Sequence, residues 1–143
     1  MTLVLDTNIV LDLFVFADAR SRALREHLER GAVQWLSTAA MREELARVLG
    51  YAHIASRLAF YRLEGAGVLA HFDRHARTVA APDKVPVTCA DPDDQKFIDL
   101  AVAHRCMLLS KDAAVLAMTR RLARLDVAVA SAFPDSSAPL LGA

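Results

Sequence analysis

Apolar residues recur along this chain in two rhythms. Short runs at residues 2–6, 33–37, 107–110 and 127–130 predict strands. Leu3, Val4 and Leu5 are apolar without alternation, the pattern of a strand buried on both faces of a parallel sheet. Between these runs the spacing changes to three or four. Leu24 and Leu28 lie one turn apart. Met41, Leu45, Val48 and Leu49 form a stripe, as do Phe97, Leu100, Ala101 and His104. Val115, Leu116, Thr119, Leu122 and Ala123 form the last, on a helix over 113–122. A further helix is predicted over 9–16, and one or two helices over 53–75, broken near Gly65 and Gly67. Residues 81–92 carry Pro82, Pro86 and Pro92 and read as a loop. Alternating strands and helices predict a parallel sheet covered on both faces.

The 143 residues make one domain, with residues 1–134 folded and 135–143 a flexible tail. With 55% hydrophobic residues, the chain can build a core without disulfides. Cys106 opens an apolar run and reads as core, Cys89 is ambiguous, and the two lack metal-ligand spacing. The N-terminus has no basic region before its apolar stretch, and no apolar run approaches the roughly 18 residues of a membrane helix. The expectation is a cytoplasmic protein. Basic and acidic residues balance at 17 each, so no global field draws the chain onto nucleic acid. Residues 20–77 nevertheless hold ten Arg and no Lys against six acids. Arg suits forked phosphate contacts, although a GC-rich genome produces the same bias.

Candidate chemistry begins with Asp6, a charge at the end of an apolar strand, which needs a partner, a metal or a task. In open α/β sheets, ligands bind at the strands' carboxyl ends. Three other acids belong at that edge: Glu44 on the helix after 33–37, Asp94 in the first turn of the helix begun by Asp91-Pro92, and Asp112 after 107–110. Ser37 or Thr38 would cap the helix of Glu44. Simpler roles exist singly. Asp91 and Asp112 suit N-caps, Asp93 and Asp94 complement a helix dipole, and Glu44 could be a solvated neighbour of Glu43. None of these explains Asp6. Crowded carboxylates protonate unless a cation lies between them, and hard oxygen ligands suit Mg²⁺ or Mn²⁺. Such a site acidifies a water for attack on phosphorus, so the pattern points to metal-dependent phosphodiester hydrolysis.

At these residues the chain resembles the PIN domain family. The matching pieces are Leu-Asp-Thr-Asn at 5–8, Met-Arg-Glu-Glu-Leu around Glu44, Asp-Pro-Asp-Asp-Gln-Lys-Phe-Ile-Asp-Leu-Ala at 91–101, and Leu-Leu-Ser-Lys-Asp at 108–112. The Asp-Pro-Asp-Asp segment is similar to the VapC-like ribonucleases, toxins of toxin–antitoxin pairs. The resemblance implies a three-layer α/β/α domain with a central parallel sheet, and an endoribonuclease requiring Mg²⁺ or Mn²⁺. It implies Asp6, Glu44, Asp94 and Asp112 as catalytic metal ligands, with Thr7, Asn8 and Ser110 in support. Asn8 would orient Asp6, or cap the following helix together with Thr7. It also implies RNA as substrate, a homodimer, and an antitoxin that blocks the acids, often with an Arg.

Some assignments compete. Glu44 is favoured over Glu43 because it borders the Met41–Leu45–Val48 stripe. Asp91 is an additional acid that could reach the metal, whereas Asp99, about 140° round the helix from Asp94, is solvated or behind the site. Arg residues of the first half, and Lys111, would hold the RNA backbone. Trp35 reads as core or dimer interface; Phe14, Phe16, Phe60 and Tyr61 read as packing, and His71 and His75 as a surface pair. Two other functions remain. A strand ending in Asp suits a phosphotransferase of the haloacid dehalogenase type, but Asn8 stands where that family needs a second Asp. A non-catalytic PIN fold that binds RNA or protein would have less need of all four acids.

Overall fold

In a computed structural model that describes residues 1–134, five parallel strands form one sheet in the order β3-β2-β1-β4-β5. The strands are β1 (Thr2–Leu5), β2 (Gln34–Ser37), β3 (Ala76–Thr78), β4 (Met107–Leu109) and β5 (Val129–Ala130). The expected tail at 135–143 lies outside the described residues. Successive side chains in a strand point to opposite faces, and the core divides accordingly. Leu3, Leu5, Trp35 and Leu109 pack against α1 (Thr7–Phe14), α2 (Arg22–Glu29), α4 (Ala52–Phe60), α5 (Gly65–His75) and the later turns of α3 (Ala39–Leu49). Val4, Leu36 and Leu108 pack against α6 (Gln95–His104), α7 (Ala113–Leu116) and α8 (Thr119–Ala123). The result is three layers, α/β/α. No helix among the described residues is long and apolar enough to cross a membrane.

The strand order reverses between β1 and β4. Chain segments after β1 build outward to β2 and β3, and those after β4 build the other way to β5. Crevices for ligands form at such a switch point, beyond the carboxyl ends. The residues that leave those two ends are Asp6 and Ser110, and the Asp6 amide extends the pairing by donating to the Leu109 carbonyl at 2.9 Å.

Several local expectations change. Strand β3 carried no apolar signal, because Ala-Arg-Thr lies on an edge with Arg77 and Thr78 exposed. The helix expected over 113–122 is two short ones. The Thr119 hydroxyl donates to the Leu116 carbonyl at 2.6 Å and competes for a helix acceptor. In the middle of the chain the break precedes Gly65, whereas Gly67 lies inside α5. Helix α1 starts at Thr7, so Thr7 and Asn8 are its first turn rather than its caps. Phe60 and Tyr61 do not pack into the core. Phe60 is 76% exposed, on the side of α4 away from buried Ile54 and Leu58, and meets only the Tyr61 ring edge-on among described aromatic rings. Trp35 is core, and Cys89 and Cys106 are buried free thiols. His71 and His75 are half-buried and stack on Phe14, with centroids at 5.0 and 6.1 Å.

Of the two expectations for Asp99, solvated or behind the site, the first is overturned. Asp99 is buried, and its Oδ1 accepts from the Val85 amide at 3.1 Å and from Gln95 Nε2 at 2.8 Å. Gln95 in turn donates to the Val87 carbonyl and accepts from the Cys89 amide. The proline-rich loop is thus fastened to α6 beside Asp91 and Asp94. Asp99→Ala leaves those donors unpaired and should cost about 1–3 kcal/mol, read as a lower urea midpoint with unchanged slope. A midpoint equal to that of the parent would contradict this role.

Candidate metal centre

Asp6 occupies the N-cap position of α1, yet its side chain makes no capping bond. Its Oδ2 instead accepts from Ser110 Oγ at 2.6 Å, and the same oxygen of Ser110 accepts from the Asp112 amide at 3.0 Å. One fully buried hydroxyl therefore ties the end of β1 to the turn carrying Asp112. Burial pushes the Asp6 carboxyl above its ordinary range. The Ser110 hydroxyl and the Thr7 amide oppose that shift, and the Glu44 and Asp112 charges add to it. The expected Asn8 contact is absent: Asn8 Oδ1 accepts from the Lys111 amide at 3.3 Å, fastening α1 to the turn after β4, and Ser110 holds Asp6 in its place.

Asp94 lies in the 3₁₀ turn Pro92–Asp94 that leads into α6. Only 8% of it is exposed, and its Oδ2 is buried without a hydrogen-bond partner among the described residues. Asp91 and Asp112 each cap a helical turn with one oxygen, accepting from the amides of Asp93 at 2.9 Å and Ala114 at 2.8 Å. Capping does not remove them from the site. One carboxylate oxygen from each of Asp91, Asp94 and Asp112 lies within 4.8 Å of the other two. The Asp94 carboxyl is pushed up to about 7, first by burial, then by the charges of Asp6, Asp112 and Asp91, and by hydrogen bonding to Asp112.

Glu44 reaches the same region from α3, which starts at the Thr38 cap. It is not in the close trio. Both its oxygens are engaged, Oε1 by Lys96 Nζ at 2.7 Å and Oε2 by the Thr7 hydroxyl. Glu43 is exposed on another face of α3. The structure therefore brings Asp94, Asp112 and Asp91 together with Asp6 alongside, and sets Glu44 at the rim. Asp91 stands closer in than its sequence rank suggested.

Two charged residues escaped notice in the sequence. Lys96 also donates to the Asp93 carbonyl and lies 4.9 Å from the Phe97 ring centroid. Asp12, buried in α1, pairs with Lys111 Nζ at 2.6 Å. Its signal was present: like Asp6, it is an acid inside an apolar run, Ile-Val-Leu-Asp-Leu-Phe. Arg25 and Arg42, by contrast, are spent within the protein, on Glu29 and the Leu13 carbonyl, and on Asp73.

A divalent ion fits this donor set. The ligands are all carboxylate oxygens, suited to a hard cation. Mg²⁺ holds oxygens at about 2.1 Å, so atoms across one ion lie at most about 4.2 Å apart, close to the observed clustering. Asp94 Oδ2, which has no hydrogen-bond partner among the described residues, is a donor suited to such an ion.

Comparison with known proteins agrees with the geometry. Residues 2–114 match the family model described as PIN domain, a span that contains Asp6, Glu44, Asp91, Asp94 and Asp112. No curated protein matches the chain.

The raised Asp94 pKa has a consequence for metal-free protein. Folded Asp94 keeps its proton to about pH 7, whereas the unfolded chain releases it near pH 4. Stability is therefore lost as pH rises from about 4 to 7, and Asp6 acts in the same direction. In chelator at pH 8, Asp94→Asn should melt higher than the parent by at least about 3 °C, and the gap should narrow toward pH 4. A gap independent of pH would contradict the raised pKa of Asp94.

Proposed function

The chain belongs to the PIN domain family, whose members are typically metal-dependent nucleases, and from that premise we propose that it is a metal-dependent endoribonuclease. The observation that carries the proposal is Asp94 Oδ2, a buried carboxylate oxygen with no partner among the described residues, beside Asp91 and Asp112. Water alone does not justify three carboxylates at that spacing; a cation does.

In this reading Asp94 and Asp112 hold Mg²⁺ or Mn²⁺ with Asp6, and Asp91 adds a fourth carboxylate. When bound, the ion acidifies a water and offsets charge on the phosphate. The chain's own groups do the rest. Ser110 fixes Asp6 by donating to its Oδ2, so the other oxygen keeps one direction. The caps from Ala114 and Asp93 immobilise Asp112 and Asp91 in the same way. Glu44, held by Thr7 and Lys96, belongs to the site either as an outer ligand or as an acceptor for substrate water. The Asp-Pro-Asp-Asp segment supports the finer reading of a toxin, with a homodimeric form and an antitoxin that covers these acids.

Two outcomes test the proposal. Asp6→Asn should reduce RNA cleavage in Mn²⁺ to background while the circular dichroism spectrum is unchanged; cleavage surviving in the purified variant would overturn the site. An ion at about 100 times its Kd stabilises a folded protein by about 2.7 kcal/mol. Millimolar Mn²⁺ should therefore raise the melting temperature, EDTA should reverse it, and Asp94→Asn should lose most of the shift. No shift in the parent would count against a preformed centre.

A further inference from the structure

Two lysines flank the acids, and each is held by an acid from a different helix. Lys96, two residues after Asp94, is bound to Glu44 on α3, the helix that follows β2. Lys111, one residue before Asp112, is bound to Asp12 on α1 and lines a small cavity with residues 131–133, which follow β5. Since β2 and β5 lie on opposite sides of the β1–β4 pair, Lys96 is held from the β2 side, by α3, and Lys111 lies beside the segment that follows β5 on the other.

Stability does not account for these pairs. Exposed ion pairs contribute about 0–1 kcal/mol, and a buried pair is often no better than apolar side chains of similar volume. Asp12 is only 6% exposed, and its neighbours Leu11, Leu13 and Phe14 are all buried. An apolar residue would suit that position; what the acid adds is a fixed place for the Lys111 ammonium. The pairs also leave donors to spare. Lys96 uses two of its three N–H groups, on Glu44 and the Asp93 carbonyl, and Lys111 uses one, on Asp12, among the described residues. Both side chains remain about a third exposed.

We propose that Lys96 and Lys111 grip the RNA backbone on either side of the bond to be cut, with Glu44 and Asp12 as their positioning residues. This rests on the nuclease reading and deepens it. An acidic centre repels a polyanion, so the strand needs fixed cations next to the carboxylates. Each lysine supplies one without leaving its holder.

The test is the salt dependence of RNA binding by the full-length chain. The probe is a fluorescein-labelled 12-nucleotide single-stranded RNA of mixed sequence, with Mn²⁺, in the Asp6→Asn background so that cutting does not intervene. Each phosphate contact contributes about 0.7 to the slope of log K against log salt for single strands. Lys96→Gln and Lys111→Gln should each lower the slope by about 0.7, and together by about 1.4. Each lost contact corresponds to about 2.6-fold less affinity loss between 50 and 200 mM salt. Lys→Arg should restore the slope, and Arg124→Gln, exposed just after α8, should not alter it. Asp12→Asn in the otherwise native chain should lower kcat more than it raises KM. If the lysines only join helices, their variants melt lower while the slope stays at the parent value, and the proposal is overturned although the native chain binds and cuts RNA. A native chain that neither binds nor cuts the RNA would remove the nuclease reading, and the proposal with it.

Discussion

Burial and mutual repulsion of carboxylates form the constraint around which the carboxyl edge of this sheet is organised. Asp6, Asp91, Asp94 and Asp112 come from segments far apart in sequence, and the strand order converges them on one crevice. Burial, with the neighbouring charges adding to it, raises the pKa of Asp94 to about 7 and that of Asp6 in the same direction. A protein selected for stability alone would separate or neutralise these groups. That they remain together, with one oxygen unpartnered, gives the edge its chemical character.

The surrounding structure reads as a set of devices that keep the acids in place. Ser110 joins the β1 end to the Asp112 turn through one buried hydroxyl. Helix and turn starts at Asp91 and Asp112 use a single carboxylate oxygen as a cap, which orients the other. Asp99 and Gln95 secure the proline-rich loop next to Asp91. Thr7 and Lys96 saturate Glu44. Local backbone satisfaction and site geometry thus come from the same side chains. The capping role and the candidate ligand role of Asp91 and Asp112 are accordingly one arrangement rather than rivals.

What the sequence disclosed follows from which signals are local. Unbroken apolar runs marked β1 and β4, since strands buried on both faces have nothing polar to show. The edge strand β3 was invisible because Ala76, Arg77 and Thr78 carry no such run. Asp6 was legible as a charge inside an apolar strand, and Glu44 as the acid bordering a helix stripe. The resemblance assigned Asn8 to orient Asp6, but Ser110, 104 residues away, makes that bond. Helical angle alone left Asp99 either solvated or behind the site, since its partner is a loop amide that no periodicity places. Asp12 repeated the Asp6 signal and passed unread; its meaning depended on Lys111 across the crevice.

The central claim is that the acids share a divalent cation, with Asp94 as a direct ligand. A crystal structure of the native chain grown with Mn²⁺, examined by anomalous scattering, tests it most directly. The account predicts a peak bonded to Asp94 Oδ2 and to at least one of Asp6, Asp91 and Asp112. A cluster without a peak, its carboxyls hydrogen-bonded to one another through retained protons, would contradict it.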